Sequence, residues 1–251
     1  MPGVLGGIYG IWLREFKVFQ REKSRVISSI VTPLMWMVIV GGGLGGSFSP
    51  EGIPYQSFMF PGIVMMLALF SSVFFGLYIV WDRKIDVLKE VLVSPVPRTA
   101  IFFGKVLGGC TDVILQVCVF LVIGVFFAPM SVVTVVAALG IALVVAIGMV
   151  SVGLTIGSFF ESLEGFQVII SFLVFPLFFL SGALYPLSGG NVPPWLTTVS
   201  YFDPLTYAVD ALRSIQLGTQ SLIPLPLDFA VIIGFAAVMV VVGTMAFKRM
   251  K

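Results

Sequence analysis

Two groups of polar side chains stand out because they interrupt otherwise apolar sequence. Lys105, Gly108, Gly109, Asp112 and Gln116 fall within about 60° of one another when wound as an α-helix. At a rise of about 1.5 Å per residue, Asp112 lies roughly 10 Å beyond Lys105, a depth at which an uncompensated carboxylate in hydrocarbon is costly. Asp112 is therefore expected to face other protein, and the glycines beside it would admit a neighbouring helix. A translocation route or a dimer seam would use such a face. Ordinary packing around a satisfied carboxyl group would use it equally, and on the residues alone that reading is preferred. Farther along, Tyr207, Asp210 and Arg213 ride one short helical stretch, where Asp210 and Arg213, three residues apart, can neutralise one another.

Much chemistry is excluded by counting. The sequence has no histidine and two cysteines, Cys110 and Cys118, both inside one apolar run, so a disulfide scaffold, a Cys/His zinc site and histidine catalysis are ruled out. The Gly104-Lys105 pair is followed by Val106 and lacks the upstream glycine of a phosphate-binding loop, so ATP is not bound by that route. The apolar runs also lack paired carboxylates or a Ser/Lys dyad of the kind a proton pump or intramembrane hydrolase needs. The chain is expected to bind no cofactor, metal or nucleic acid. If it moves a solute uphill, another subunit supplies the energy.

The elements that must position these residues are membrane helices. Apolar residues make up 59% of the 251 positions and charged residues 10%, far below the roughly 25% of soluble domains. Mean hydropathy is +1.12. About 20 apolar residues in a helix cross the hydrocarbon core, and six such runs are present, near 26–46, 57–80, 106–127, 132–158, 166–186 and 228–247. The expected fold is an all-α integral membrane protein forming one domain over 1–251, with an interfacial helix at 1–25, five spans within 26–186, a re-entrant segment at 187–218 and a sixth span at 228–247. The charges before the first run precede a full-length span without a small-residue cleavage site, so a removable signal peptide is not expected.

Orientation follows from the basic residues. Arg14, Lys17, Arg21, Lys23 and Arg25 precede the first run; Arg83, Lys84, Lys89, Arg98 and Lys105 lie between the second and third; Lys248, Arg249 and Lys251 follow the sixth. Six spans put all three groups on one side, the cytoplasm, with both termini, and leave only Arg213 opposite. The chain is thus expected to sit in the cell membrane.

Three irregular stretches remain. Ile8, Tyr9, Ile11, Trp12, Leu13, Phe16 and Phe19 share an arc opposite Arg14, Lys17, Arg21 and Arg25, which predicts a helix lying in the headgroup plane with Trp12 and the phenylalanines toward the acyl chains; Glu15, Glu22 and Lys23 intrude on the apolar side. Trp81, Ile85, Leu88 and Leu92 recur at helical spacing, with Asp82, Arg83, Lys84, Asp86, Lys89 and Glu90 on the solvated remainder. They predict a second amphipathic helix that ends near Ser94, before Pro95 and Pro97, and whose stripe seeks a partner surface. From Phe179 onward, Pro186, Pro193, Pro194 and Pro204 forbid one continuous span. Asp203 as N-cap, Pro204 at N1 and Gly218 as stop predict a short helix there, part of a re-entrant hairpin rather than a surface loop. Met65, Met66 and the many phenylalanines read as core or lipid-facing filling rather than a substrate box.

In order along the chain come the basic amphipathic helix, six spans, SPVPRTAIFFGK at Ser94 to Lys105, then FLSGALYP, VPPWL and FDPLTYAVDALR. Taken together, these resemble the permease subunits of ABC type-2 exporters of the drug, lipo-oligosaccharide and polysaccharide class, over essentially the whole chain. The resemblance rests on Ser94, Pro95, Arg98, Gly104 and Lys105 and on Pro204, Thr206, Tyr207 and Arg213. It implies that residues 82–98 form a coupling helix docking on a separate ABC ATPase subunit, with Trp81, Arg83, Ile85, Leu88, Leu92, Ser94, Pro95 and Arg98 at the contact and Glu161 and Glu164 in a second, shorter one. It further implies a dimer with a second copy or a paralogous permease in membrane lipid, ATP and Mg on the partner subunit, and a hydrophobic or amphipathic drug, lipid or glycan as substrate. Lys105, Asp112, Gln116, Tyr207, Asp210 and Arg213 become candidates for the pathway or its packing. A secondary transporter or channel without an ATPase is the alternative, but the matching inverted halves of a secondary carrier are not visible in the sequence.

Overall fold

The computed structural model describes residues 4–45, 50–87, 96–187, 192–218 and 221–249. It is helical, with no strand among the described residues. Among the described residues, six helices are long and apolar enough to cross a membrane: Val26–Leu44, Tyr55–Lys84, Arg98–Gly124, Val132–Phe159, Leu163–Leu180 and Leu225–Arg249. They are called spans one to six. In hydrocarbon, a helix satisfies its backbone internally, and two of the spans are capped by the residue that precedes them. Ser131 accepts from the Thr134 amide at 3.1 Å to start span four, and Ser162 accepts from the Gly165 amide at 3.1 Å to start span five.

Two boundaries differ from expectation. Span three begins eight residues earlier than its apolar run, because Arg98 follows Pro97 directly into the helix and its charged first turns are sheltered by neighbouring helices. Span five stops at Leu180, not 186, because Gly182 takes φ +68° and turns the chain out of the helix.

Span two is the axis of the bundle. Ile63, Val64, Met65, Leu67, Ala68, Leu69 and Val73 are all buried, enclosed by spans three, four and five and by the helix Pro204–Leu217. Its closest neighbour is span four. A methyl group added to Gly76 would meet the Gly153 carbonyl oxygen at 2.1 Å, and one added to Gly153 would meet the Val73 carbonyl oxygen at 2.3 Å. Only glycine permits backbones to touch at that separation. Immediately after this contact the helix breaks at Phe75–Gly76 and resumes as Leu77–Lys84.

Between spans five and six, where the re-entrant hairpin is expected, lie two short helices, Pro194–Ser200 and Pro204–Leu217. Asp203 caps the second helix by accepting from the Leu205 amide at 2.9 Å, and Gly218 ends it at φ +64°, as its sequence predicts. Pro204 and Leu205 share a small cavity with Val145 and Met149, midway along span four, and with Ile232 and Phe235 of span six. Leu205, Ala208, Val209, Ala211 and Leu212 are fully buried, so this helix is a bundle element and not a surface loop.

Candidate functional site: a buried charge cluster and a lateral groove

The N-terminal helix Val4–Arg21 does not rest on lipid alone. It packs along the first turns of span three: Gly104 lies under Ile11, Gly108 lies under the Glu15 side chain, and the Trp12 indole donates to Thr111 Oγ1 at 3.0 Å. The glycine face that Lys105 shares with Asp112 is thus taken by this helix. Leu5 and Tyr9 remain exposed on its outer side.

This packing explains the acidic intruder. Glu15 is buried, and its Oε1 accepts from Lys105 Nζ at 2.8 Å. The same ammonium donates to Asp82 Oδ2 at 2.8 Å, while Arg14 clasps Asp82 through Nη2 at 2.5 Å and Nη1 at 3.1 Å. The four side chains carry two positive and two negative charges, and only Arg14 reaches solvent appreciably, at 31% side-chain exposure. Asp82, read from sequence as part of a solvated surface, is the hinge pin of this cluster. Nearby, the Tyr78 hydroxyl donates to Glu22 at the junction between the N-terminal helix and span one. Helix, span two and span three are thus fastened into one block.

The end of span two is stapled a second way. Arg83 donates to the Phe160 and Ser158 carbonyls at 2.7 and 2.9 Å, satisfying the C-terminal carbonyls of span four. Arg98, the first residue of span three, donates to the Lys248 carbonyl at 3.1 Å near the end of span six. Glu161 and Glu164 are exposed in the short connection to span five and its first turn. The basic residues the structure describes are therefore gathered at one end of the bundle, apart from Arg213.

The single amphipathic helix expected over 81–94 is not continuous. Trp81 and Asp82 complete the span-two helix, which ends at Lys84; Ile85 and Asp86 turn the chain, with Asp86 at φ +58°, a conformation aspartate tolerates better than most residues. Trp81 and Ile85 are about half exposed. Leu88, Leu92, Ser94 and Pro95 lie outside the described residues.

Deeper in span three, Asp112 accepts from Gln116, whose Oε1 accepts from Ser71 of span two at 2.5 Å. All three are buried. On the re-entrant helix, Asp210 and Arg213 do not pair. Asp210 accepts from the Leu222 and Ile223 amides at 3.2 and 3.0 Å, and Arg213 reaches the carbonyls of Phe58, Gly182 and Ala183 at 3.3, 2.8 and 3.2 Å, its guanidinium 4.0 Å from the centre of the Phe58 ring. Open backbone groups at the two turns outcompete the side-chain partner one turn away. The Tyr207 hydroxyl donates to the Tyr201 carbonyl at 2.8 Å, bracing the hairpin tip.

Between spans one, two and five runs a groove of about 540 Å³. Span one contributes Ser28, Ser29, Thr32, Pro33 and Trp36; span two contributes Met66, Leu67, Phe70, Ser71 and Phe74; span five contributes Phe175 and Phe178. Some of the phenylalanines read as filling thus line an open cavity, together with Met66. Apolar composition alone does not say which side of a helix faces a gap. Span one, which forms one of its walls, is loosely packed, with 22% of its residues buried.

Comparison with known proteins agrees with this arrangement. Residues 7–217 match the ABC-2 type transporter family. The inner membrane transport permease YadH of Escherichia coli strain K12 is 28% identical over 233 residues, covering 90% of this chain and 88% of its own. Nodulation protein J of Rhizobium leguminosarum bv. trifolii is 22% identical over 222 residues, covering 87% and 84% respectively. A chain of six membrane helices matched over most of its length in this way belongs to the ABC-2 type transporter family, as a multi-pass membrane permease subunit of an ABC transporter.

Proposed function

We propose that this permease forms the translocation pathway of an ATP-driven exporter, working as a dimer with separate ATPase subunits docked at the basic end of the bundle. That end faces the cytoplasm, because lysine and arginine resist translocation. ATP and Mg are held by the partner. The observation that carries the proposal is the fastening of the span-two end: exposed Trp81 and Ile85 flank Asp82 and Arg83, which are locked to the N-terminal helix, span three and span four. A push on this surface is delivered to four helices at once. The coupling surface therefore begins on span two at Trp81 and runs on through the segment up to Arg98, with Glu161 and Glu164 beside it. Hydrophobic or amphipathic substrate enters from the membrane through the groove between spans one, two and five. Closure of the ATPase pair shifts the population between inward-open and outward-open states.

The test is co-purification of the tagged permease with the ATPase encoded beside it, followed by ATP hydrolysis in nanodiscs. Two copies of each subunit are expected. Trp81→Glu combined with Ile85→Glu should abolish co-purification and leave membrane insertion and melting temperature unchanged. If the doubly substituted chain still holds its ATPase, the docking assignment is wrong; if the native chain binds none, a carrier or channel takes its place.

A further inference from the structure

The lining of the groove is rich in hydroxyl oxygens and aromatic rings. Four hydroxyl groups reach it, and each has its hydrogen committed to the protein: Ser28 donates to the Ser24 carbonyl at 2.9 Å, Ser29 to the Val26 carbonyl at 2.9 Å, Thr32 to the Ser28 carbonyl at 3.1 Å and Ser71 to Gln116 Oε1 at 2.5 Å. What these groups offer a guest is their oxygen lone pairs, which accept and do not donate. The backbone amides of the walls are spent within the helices, and Pro33 has none. Among the described residues, no lysine, arginine, aspartate or glutamate lines the groove.

The remaining surface is aromatic and arranged with edges against faces. Phe70 meets Phe175 and Phe178 in T-shaped contacts, with ring centres 5.5 and 6.2 Å apart, and Trp36 meets Phe178 the same way at 5.8 Å. Faces of such rings carry negative potential and attract cations, the more so away from water. An anion would find one neutral donor, the Trp36 indole, and, among the described residues, no positive charge to offset its lost hydration.

We infer that the groove takes lipophilic cations, aromatic or amphipathic molecules bearing a delocalised or amine positive charge, in preference to anionic lipids or acidic glycans. This rests on the groove's being the substrate opening, but the two ideas fail separately. Tetraphenylphosphonium and tetraphenylborate have nearly the same size and shape and opposite charge, so they isolate the sign of the charge from apolar burial. Binding of each to the permease in nanodiscs is measured by equilibrium dialysis, with empty nanodiscs subtracted and the oligomeric state followed in parallel. The phosphonium is expected to bind on the order of ten-fold more tightly than the borate, and Phe70→Leu and Phe175→Leu should each weaken it several-fold without changing the oligomeric state. Equal binding of both ions, or tighter borate, overturns the charge selection and leaves the groove as an opening. Specific binding of neither ion overturns the inference: the groove is then filled by an acyl chain, or by a second copy of the chain if the leucine variants also alter the oligomeric state. Because this assay needs no ATPase, failure of the coupling proposal would be seen only in the co-purification experiment.

Discussion

Replacing Lys105 by Met removes one ammonium and keeps most of its stem. Lys105 Nζ is 2.8 Å from both Glu15 and Asp82, and the side chains of lysine and the two acids are 1%, 3% and 6% exposed. Without the lysine, Glu15 retains only the Arg14 contact at 3.2 Å, and a single guanidinium must answer two buried carboxylates. Breaking a buried pair by removing one partner costs about 3–5 kcal/mol, because the survivor is left uncompensated. Arg14 is a third exposed, and water can partly take its place beside Asp82, so Arg14→Ala should cost less, about 1–2 kcal/mol. The charge count also predicts a rescue. Lys105→Met with Glu15→Gln leaves the two-point Arg14–Asp82 pair intact and balanced, and should recover at least half of the loss. Melting temperature in detergent reports these differences, with a drop on the order of 10 °C for Lys105→Met by the scaling of soluble domains of this size. A smaller loss for Lys105→Met than for Arg14→Ala, or no recovery in the double variant, would refute the view of the cluster as a buried, charge-balanced lock.

Gly153→Ala should destabilise the bundle by about 1–3 kcal/mol or more, since the new methyl meets the Val73 backbone at 2.3 Å and backbone cannot swing aside; disulfide cross-linking between cysteines placed on spans two and four should fall with it. Arg213→Lys keeps the charge but cannot span the Phe58, Gly182 and Ala183 carbonyls together, so about 1–3 kcal/mol should be lost and protease cutting within 187–203 should quicken; unchanged cutting would show that the hairpin is held by apolar packing alone.

Local chemistry was legible in the sequence where one short stretch contains all the groups involved. Asp203, Pro204 and Gly218 announce both ends of the re-entrant helix because cap, first turn and stop act within a few residues of each other. The six spans follow from length and apolarity, and the grouping of basic residues at one end emerges from their placement between those spans. The charge cluster was not legible. Glu15 and Lys105 are 90 positions apart, and Arg14 and Asp82 are 68 apart, so no periodicity connects them. A signal was nevertheless present: a carboxylate on the apolar arc of one helix and a lysine on the glycine face of another each require a partner. The spacing of Trp81, Ile85, Leu88 and Leu92 misled in the opposite way, since periodicity persists on paper across a left-handed residue such as Asp86. Aromatic content likewise gave no hint that Phe70 and Phe175 face a gap.

Span one contains Pro33 and, just past it, a π turn over Trp36–Val40. A π turn is a helix carrying one surplus residue, so everything beyond it is rotated by about 100° relative to an uninterrupted α-helix. Up to the start of the turn, Ser28, Thr32 and Trp36 fall at intervals of four and line the groove; beyond it, Gly41 fits against Gln56 and Met59 of span two. The surplus residue sets these two facings independently of each other. It also marks the one place in this span where the chain can shorten by a single residue, rewinding to an α-helix, without turning either half away from what it touches; a deletion anywhere else would rotate the groove wall out of line. A single-residue deletion in span one is therefore expected to be tolerated best within Trp36–Val40.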